Sequence, residues 1–191
     1  MNLYHYSTDG KLISQITDFK FVVQSIIGFS EDGAKVYIEA TGEDAKENHC
    51  YEIEIATKAF KQLTTESGVH HCELSSDAKF LLDTWSSLTI PNKVDIIDIK
   101  KGKTTNIHTA KNPLTVFNTA QVEFMKLKSS DGFDLECRVM KPHDFDVNKK
   151  YPVLVYVYGG PHAQLVTNDW LGGARLWMHY MAEQGYIVFT L

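Results

Sequence analysis

Residues 154–164 read LVYVYGGPHAQ. A short apolar run leads into Tyr158, and Gly159, Gly160, Pro161 and His162 come directly after it. Glycines directly after a strand let the backbone turn sharply and approach a ligand with no Cβ in the way. Pro161 stiffens the exit. In an open α/β sheet, ligands bind beyond the carboxyl ends of the strands. A phenolic O–H delivered there is a fixed, partly desolvated donor, suited to stabilising a developing oxyanion. The same residues also read as a core aromatic next to a tight turn.

Two further groupings raise chemical questions. His70, His71 and Cys72 are consecutive. On a strand, His70 and Cys72 share one face and His71 takes the other. Two ligands on one face make half a zinc site, and no second cluster accompanies them, so packing is the favoured role. Glu39 and Asp83 could suggest a carboxylate pair for glycoside chemistry. They occupy near-equivalent positions of an internal repeat, however, and are not expected to converge.

The elements that would position these groups begin with that repeat. Phe29-Ser30-Glu31-Asp32 recurs as Leu74-Ser75-Ser76-Asp77, an offset of 45. Tyr51-Glu52-Ile53-Glu54-Ile55 recurs as Asp95-Ile96-Ile97-Asp98-Ile99, and Lys61-Gln62-Leu63-Thr64 as Thr105-Asn106-Ile107-His108, both at an offset of 44. A partial copy opens the chain, with Tyr4-His5-Tyr6 leading to Gln15-Ile16-Thr17. The segments KVYIEA (35–40), CYEIEI (50–55) and VDIIDI (94–99) are β-branched, aromatic and largely alternating, which is strand patterning. Asp-Gly at 9–10 and 32–33 and Lys-Gly-Lys at 101–103 supply turns. Four short strands per copy match one propeller blade of roughly 40–50 residues. An antiparallel sandwich is the competing architecture. The copies place the end of one blade at 1–17, a second at about 20–64 and a third at about 69–108. Propellers close with about four to eight blades, so two and a half blades imply either an assembly of chains or a piece of a longer polypeptide.

After His108 the pattern changes. Residues 109–121 read as a polar linker. Residues 122–128 and 133–140 read as a hairpin about the turn 129–132. Residues 142–150 form a polar loop, and 153–158 is uniformly apolar, as expected of a strand covered on both faces. A helix is expected over about 171–184, with Trp170, Ala174, Trp177 and Met181 on its buried face and Gly185 as its C-cap. Residues 186–191 form another buried strand. Hairpin, strand, helix and strand are the opening of an α/β sheet.

Composition narrows the classes. With 43% hydrophobic and 23% charged residues the chain can build a core, and its net charge of −5 argues against a nucleic-acid partner. No apolar run reaches the ~20 residues needed to span a bilayer, and the N-terminal residues lack the pattern of a signal peptide. Cys50, Cys72 and Cys137 are few and odd in number, so no disulfide framework is expected.

Residues 149–164, KKYPVLVYVYGGPHAQ, resemble the segment that opens the catalytic domain in the prolyl oligopeptidase family of serine peptidases, above all its dipeptidyl peptidase IV branch. KSSDGFDL (128–135), the YEIEI…LT blade ends and FLLDTWSS agree with it, so the resemblance covers nearly the whole chain. It implies the last blades of a β-propeller over 1–110, then a linker and the first strands of an α/β-hydrolase domain over 111–191. It implies that Tyr158 supplies the oxyanion-hole hydroxyl, in the loop after the third strand. The nucleophilic serine sits in a G-x-S-x-G elbow in such enzymes, with aspartate and histidine after it. No G-x-S-x-G occurs in these 191 residues, and neither does the Glu-Glu pair that holds the substrate's amino end in the dipeptidyl branch. His162 precedes any such serine and is therefore a loop residue rather than the triad base.

The resemblance thus implies an internal fragment of an exopeptidase that releases Xaa-Pro or Xaa-Ala dipeptides. An oligopeptidase or acylaminoacyl peptidase of the same family, or a propeller interaction protein with a degenerate hydrolase domain, are the alternatives. A peptide substrate, no cofactor, a homodimeric parent and a periplasmic or extracellular location are expected. The fragment by itself is expected to be inactive and to have difficulty folding, because its sheet edges are open.

Overall fold

The computed structural model describes residues 1–160 and 163–191. The chain divides into two compact units: Met1–Ser86 with Asn92–Ala110, and Ser87–Pro91 with Lys111–Leu191.

Hairpin pairing builds the sheets of the first unit. β1 (Tyr4–Tyr6) pairs with β2 (Leu12–Gln15). β3 (Val23–Phe29), β4 (Lys35–Ala40), β5 (His49–Glu54) and β6 (Phe60–Gln62) form one four-stranded meander. β7 (Val69–Leu74), β8 (Phe80–Ser87), β9 (Ile90–Asp98) and β10 (Lys103–Thr109) form a second with the same order. Each meander has the form of a propeller blade, and β1–β2 is a separate two-stranded pair.

Both faces of the first blade are apolar. From β4, Val36, Ile38 and Ala40 join Ile16, Val23, Tyr51 and Ile53 in one buried cluster. Tyr37 points the other way, into a cluster with Cys50, Leu63, Cys72, Leu81, Ile97 and Ile99 that draws on both blades. Its hydroxyl donates to Glu52 Oε2 at 3.1 Å, while Lys35 Nζ holds Glu52 Oε1 at 3.0 Å. Burial and then the Glu52 carboxylate push the Tyr37 phenol up to about 12, so it remains a donor.

The repeat extends to hydrogen bonds in the turns. Ser7, Ser30 and Ser75 each donate a hydroxyl to the aspartate two residues on. Backbone N–H groups of Gly10, Gly33 and Ala78 close these turns onto the serine carbonyls at 2.8–2.9 Å. The last position is left-handed, at φ +83° and +67° in the glycines and +51° in Ala78. A second equivalence joins β5–β6 to β9–β10: Lys58 at φ +62° corresponds to Gly102 at +64°, and each donates its N–H back over four residues at 2.8 Å.

One expectation fails here. Cys50 and Cys72 form a disulfide with Cα atoms 6.6 Å apart, joining β5 to β7. Counting cysteines missed it because the pairing depends on strand placement: a parallel bridge between Asn48 and Val69 sets the two strands side by side. Cys137 is a buried free thiol.

In the second unit, β11 (Gln121–Lys128) and β12 (Asp134–Lys141) form the expected hairpin, with eight residue pairs in register. β13 (Val153–Tyr156) and β14 (Ile187–Thr190) pair in parallel, giving the order β11-β12-β14-β13. The helix is shorter than its sequence suggests. Leu171, Gly172 and Gly173 take φ of +63°, +66° and +70°, so Trp170–Gly173 is a separate 3-10 turn and α1 spans Leu176–Glu183. The buried face shifts with it. Met178 and Ala182 join Ala174, Met140 and Val188 in the core, while Trp177 is 40% exposed. Gly185, at φ +88°, ends the helix as expected.

The turn geometry generates two predictions. Lys58→Gly removes a left-handed non-glycine costing about 1–2 kcal/mol, partly offset by glycine's chain entropy, so unfolding in urea should show a gain of about 0.5–1 kcal/mol at unchanged m-value. A loss of stability would contradict the equivalence with Gly102. For acid, the Ser75 hydroxyl first and then Lys79 hold Asp77 down at about 2, and Asp9 and Asp32 are lowered in the same type of turn. A depressed carboxylate contributes stability above its unfolded value near 3.8 and loses it as pH falls through the folded value of about 2. Urea midpoints should therefore drop between those two values, and Asp77→Asn should flatten that drop.

Candidate functional site

Tyr158 is reached through β13. This strand lies at the edge of its sheet, and its carboxyl end runs into the turn containing Tyr158. Leu154 and Tyr156 pack against the helix-side core. Val153 and Val155 are 58% and 60% exposed, so the expectation of a strand covered on both faces is not met within these residues. The regular strand also stops at Tyr156, two residues short of the expected end.

The turn itself has the required freedom. Gly159 holds φ +66°, and none of the described residues lies within 4 Å of where a Cβ would stand. At Gly160 a Cβ would lie 3.0 Å from Tyr158 Cε1, so the tyrosine ring lies back over that glycine. Tyr158 is 58% exposed. His162 lies outside the described residues.

Arg138, which sequence reasoning did not single out, anchors the segment beyond the turn. It is 1% exposed, on the core-facing side of β12. One guanidinium nitrogen donates to the carbonyls of Leu165, at 3.1 Å, and Gly172. The other donates to Thr190 Oγ1 at 3.0 Å and reaches Met178 Sδ at 3.4 Å. One side chain thus ties the segment after the tyrosine turn to β14 and α1. Asn168 adds a second tie, its Oδ1 accepting from Leu88 N–H at 3.1 Å. Burial pulls the Arg138 value down, and the charge of Asp169 opposes that shift. His179 is lowered by burial and then by Arg138, so it sits neutral on α1, with no hydrogen-bond partner for either ring nitrogen among the described residues. The signal for Arg138 was available: it stands two residues before Met140, on the same inward side of β12.

The other sequence candidates have separate duties. His70 is buried, with Nδ1 at 2.8 Å from Asp83 Oδ2 and Nε2 at 2.9 Å from the Glu66 carbonyl, and its ring stacks on Trp85. His71 is exposed, and Cys72 is in the disulfide. Glu39 accepts from the Ser25 hydroxyl at 3.1 Å and from Cys72 N–H at 2.9 Å. Asp83 is engaged by His70 and Glu39 by Ser25 and the Cys72 N–H, while Asp83 Oδ1 also stands 3.7 Å from Cys72 Sγ. Among the described residues no group of His, Cys, Asp or Glu is arranged to hold a metal ion.

Residues 1–92 match the family described as the dipeptidyl peptidase IV N-terminal region. This stretch belongs to the dipeptidyl peptidase IV family. It is similar to dipeptidyl peptidase 8 of Mus musculus, 29% identical over 82% of this chain and 18% of that protein. Dipeptidyl-peptidase 5 of Porphyromonas gingivalis is 31% identical over 86% of this chain and 23% of its own length. Among solved structures, a candidate dipeptidyl aminopeptidase IV from Bacteroides ovatus superposes with a TM-score of 0.85 at 34% identity, covering 100% of this chain and 28% of that one. Porphyromonas gingivalis dipeptidyl peptidase 4 gives 0.83 at 25% identity, over 99% and 27%. The chain thus spans about a fifth of the curated relatives' length and about a quarter of the solved chains. The fold is that of this family, propeller blades and then the opening of an α/β-hydrolase sheet.

Arg138→Ala would strip the carbonyls of Leu165 and Gly172 of their donor and leave a cavity. A loss of about 3 kcal/mol or more in urea unfolding is expected. A loss under about 1 kcal/mol would show that the segment is held without it.

Proposed function

We propose that this chain is part of a serine exopeptidase that removes N-terminal dipeptides, with proline or alanine preferred at the second position. Residues 1–110 supply the last propeller blades, and 111–191 the linker and first strands of the catalytic domain. The observation that carries the reading is Tyr158, delivered by a parallel strand's carboxyl end into a turn of two glycines, in a chain whose residues 1–92 belong to the dipeptidyl peptidase IV family.

In this reading a serine, with its histidine and aspartate, lies in sequence outside these 191 residues and attacks the scissile carbonyl to form an acyl-enzyme. Negative charge develops on the carbonyl oxygen. The Tyr158 hydroxyl donates to it, together with a backbone N–H beside the nucleophile. Gly159 and Gly160 keep the approach free of side chains, and Arg138 holds the segment beyond them to the sheet. No cofactor enters this chemistry. The 191 residues alone lack a nucleophile and have no peptidase activity. The parent acts on peptides, is a homodimer, and works in the periplasm or outside the cell. The Cys50–Cys72 disulfide supports that location, since such bonds persist in oxidising compartments.

The test is hydrolysis of a Gly-Pro chromogenic amide by the full-length parent and by its Tyr158→Phe variant. The parent should cleave rapidly, and kcat should fall about 10²–10³-fold in the variant with KM little changed. Cleavage unaffected by the substitution would remove Tyr158 from the mechanism. A parent inert on this substrate, and on N-acylated and internal-proline peptides, would remove the peptidase reading.

A further inference from the structure

We infer that Cys50–Cys72 is a redox-set latch that locks the two four-stranded blades to each other, closed during oxidative folding and opened only when reduction coincides with separation of the seam. The latch is independent of the peptidase reading.

The two sulfurs belong to different blades, Cys50 to β5 and Cys72 to β7, 22 residues apart in sequence. Both residues are buried, within the apolar cluster that fills the seam. Around them the strand starts are already knitted. Asn48 N–H reaches the Gly68 carbonyl at 3.3 Å, His70 N–H the Asn48 carbonyl at 3.0 Å, and the Asn48 side-chain amide the His70 carbonyl at 2.7 Å. Glu39 of the first blade accepts the Cys72 N–H. The cysteines are therefore placed by a polar seam that exists whether or not the bond is made.

The repeat shows that the bond is an addition to one seam. Cys50 corresponds to Leu3 when Tyr51 is set on Tyr4, and Cys72 corresponds to Ile27 when Leu74 is set on Phe29. The preceding seam thus has two apolar side chains at the equivalent positions, and they cannot be joined. Cys137 does not compete for a partner: it is buried, and burial pushes its thiol up, away from the reactive thiolate.

Closure balances as ordinary thiol–disulfide exchange. One cysteine, as thiolate, attacks a sulfur of a donor disulfide such as oxidised glutathione and expels a donor thiolate. The second thiolate attacks the protein sulfur of the mixed disulfide and expels the other donor thiol. Two protein thiols lose two electrons and two protons, and the donor disulfide becomes two thiols. Because both sulfurs are buried, a dithiol can reverse this only after the seam opens. The latch is therefore slow to reduce when folded and fast when the blades part.

The experiment uses the full-length parent. Under non-reducing digestion and mass mapping, the Cys50 and Cys72 peptides should appear linked, while Cys137 alkylates only after unfolding. Dithiothreitol in native buffer should reduce the bond slowly, and in sub-denaturing urea at least about tenfold faster, as required by reduction through opening. Limited proteolysis should then cut the 63–68 connection about tenfold or more faster in reduced than in oxidised protein, the direction expected when a cross-link is removed. The Cys50→Ser, Cys72→Ser double variant should behave like the reduced protein in either buffer. Free, separately alkylated Cys50 and Cys72 in protein folded with a glutathione redox pair would overturn the inference. So would proteolysis that is the same in both redox states. The mapping and reduction steps need only the wild-type protein, so poor folding of the variant does not remove the test.

Discussion

A four-stranded blade with apolar residues on both faces is stable only if something covers both. β4 makes this plain: Val36, Ile38 and Ala40 face one way and Tyr37 the other, and all are buried. Burying side chains of this size is worth about 1.5–3 kcal/mol each, so a blade stripped of one neighbour loses several such contributions together. Interactions that are fixed by the backbone, such as the Ser-x-Asp turns and the Asn48–His70 bonds, set the positions of the strands. Face-to-face burial then holds the blades together. The disulfide adds covalent closure to a seam already built by these forces.

The second unit solves a different problem. Its hairpin and parallel pair make a sheet whose helix-side face is covered by α1, through Met140, Met178, Ala182 and Val188. Residues 163–169, which lead toward α1, have little regular structure, and their carbonyls need donors. Arg138 meets that need from inside the core, and its buried charge has carbonyls, a hydroxyl and a thioether as its hydrogen-bonding contacts rather than a carboxylate. Such an arrangement is a weak source of net stability but a strong constraint on geometry. It fixes the carbonyls of Leu165 and Gly172 to β14 and α1.

Much of this was legible in the residues. The offsets of 44 and 45 located both blades, and the alternation in 122–128 and 133–140 located the hairpin. Local signals sufficed because each of these elements is built from short-range pairing and common turn chemistry. The features that escaped required three-dimensional placement. Cys50 and Cys72 meet through a bridge between Asn48 and Val69 that no spacing rule reveals. The helix lost its first turns because Gly172 and Gly173 are left-handed and crowded by Leu88, Arg138 and Thr167, a tertiary demand that overrode the apolar spacing of Trp170 and Trp177. The apolar run in β13 spoke correctly for a strand but not for its surroundings, since Val153 and Val155 are exposed. At Tyr158 the residue types and the glycine turn were readable.

The most direct test of the oxyanion role is a crystal structure of the full-length parent carrying a dipeptide boronic acid, whose tetrahedral adduct carries an oxygen where the oxyanion develops. The Tyr158 hydroxyl should lie about 2.7–3.1 Å from that oxygen, the range for an oxyanion-hole donor. A Tyr158 hydroxyl turned away from the adduct, with another group donating in its place, would contradict that role.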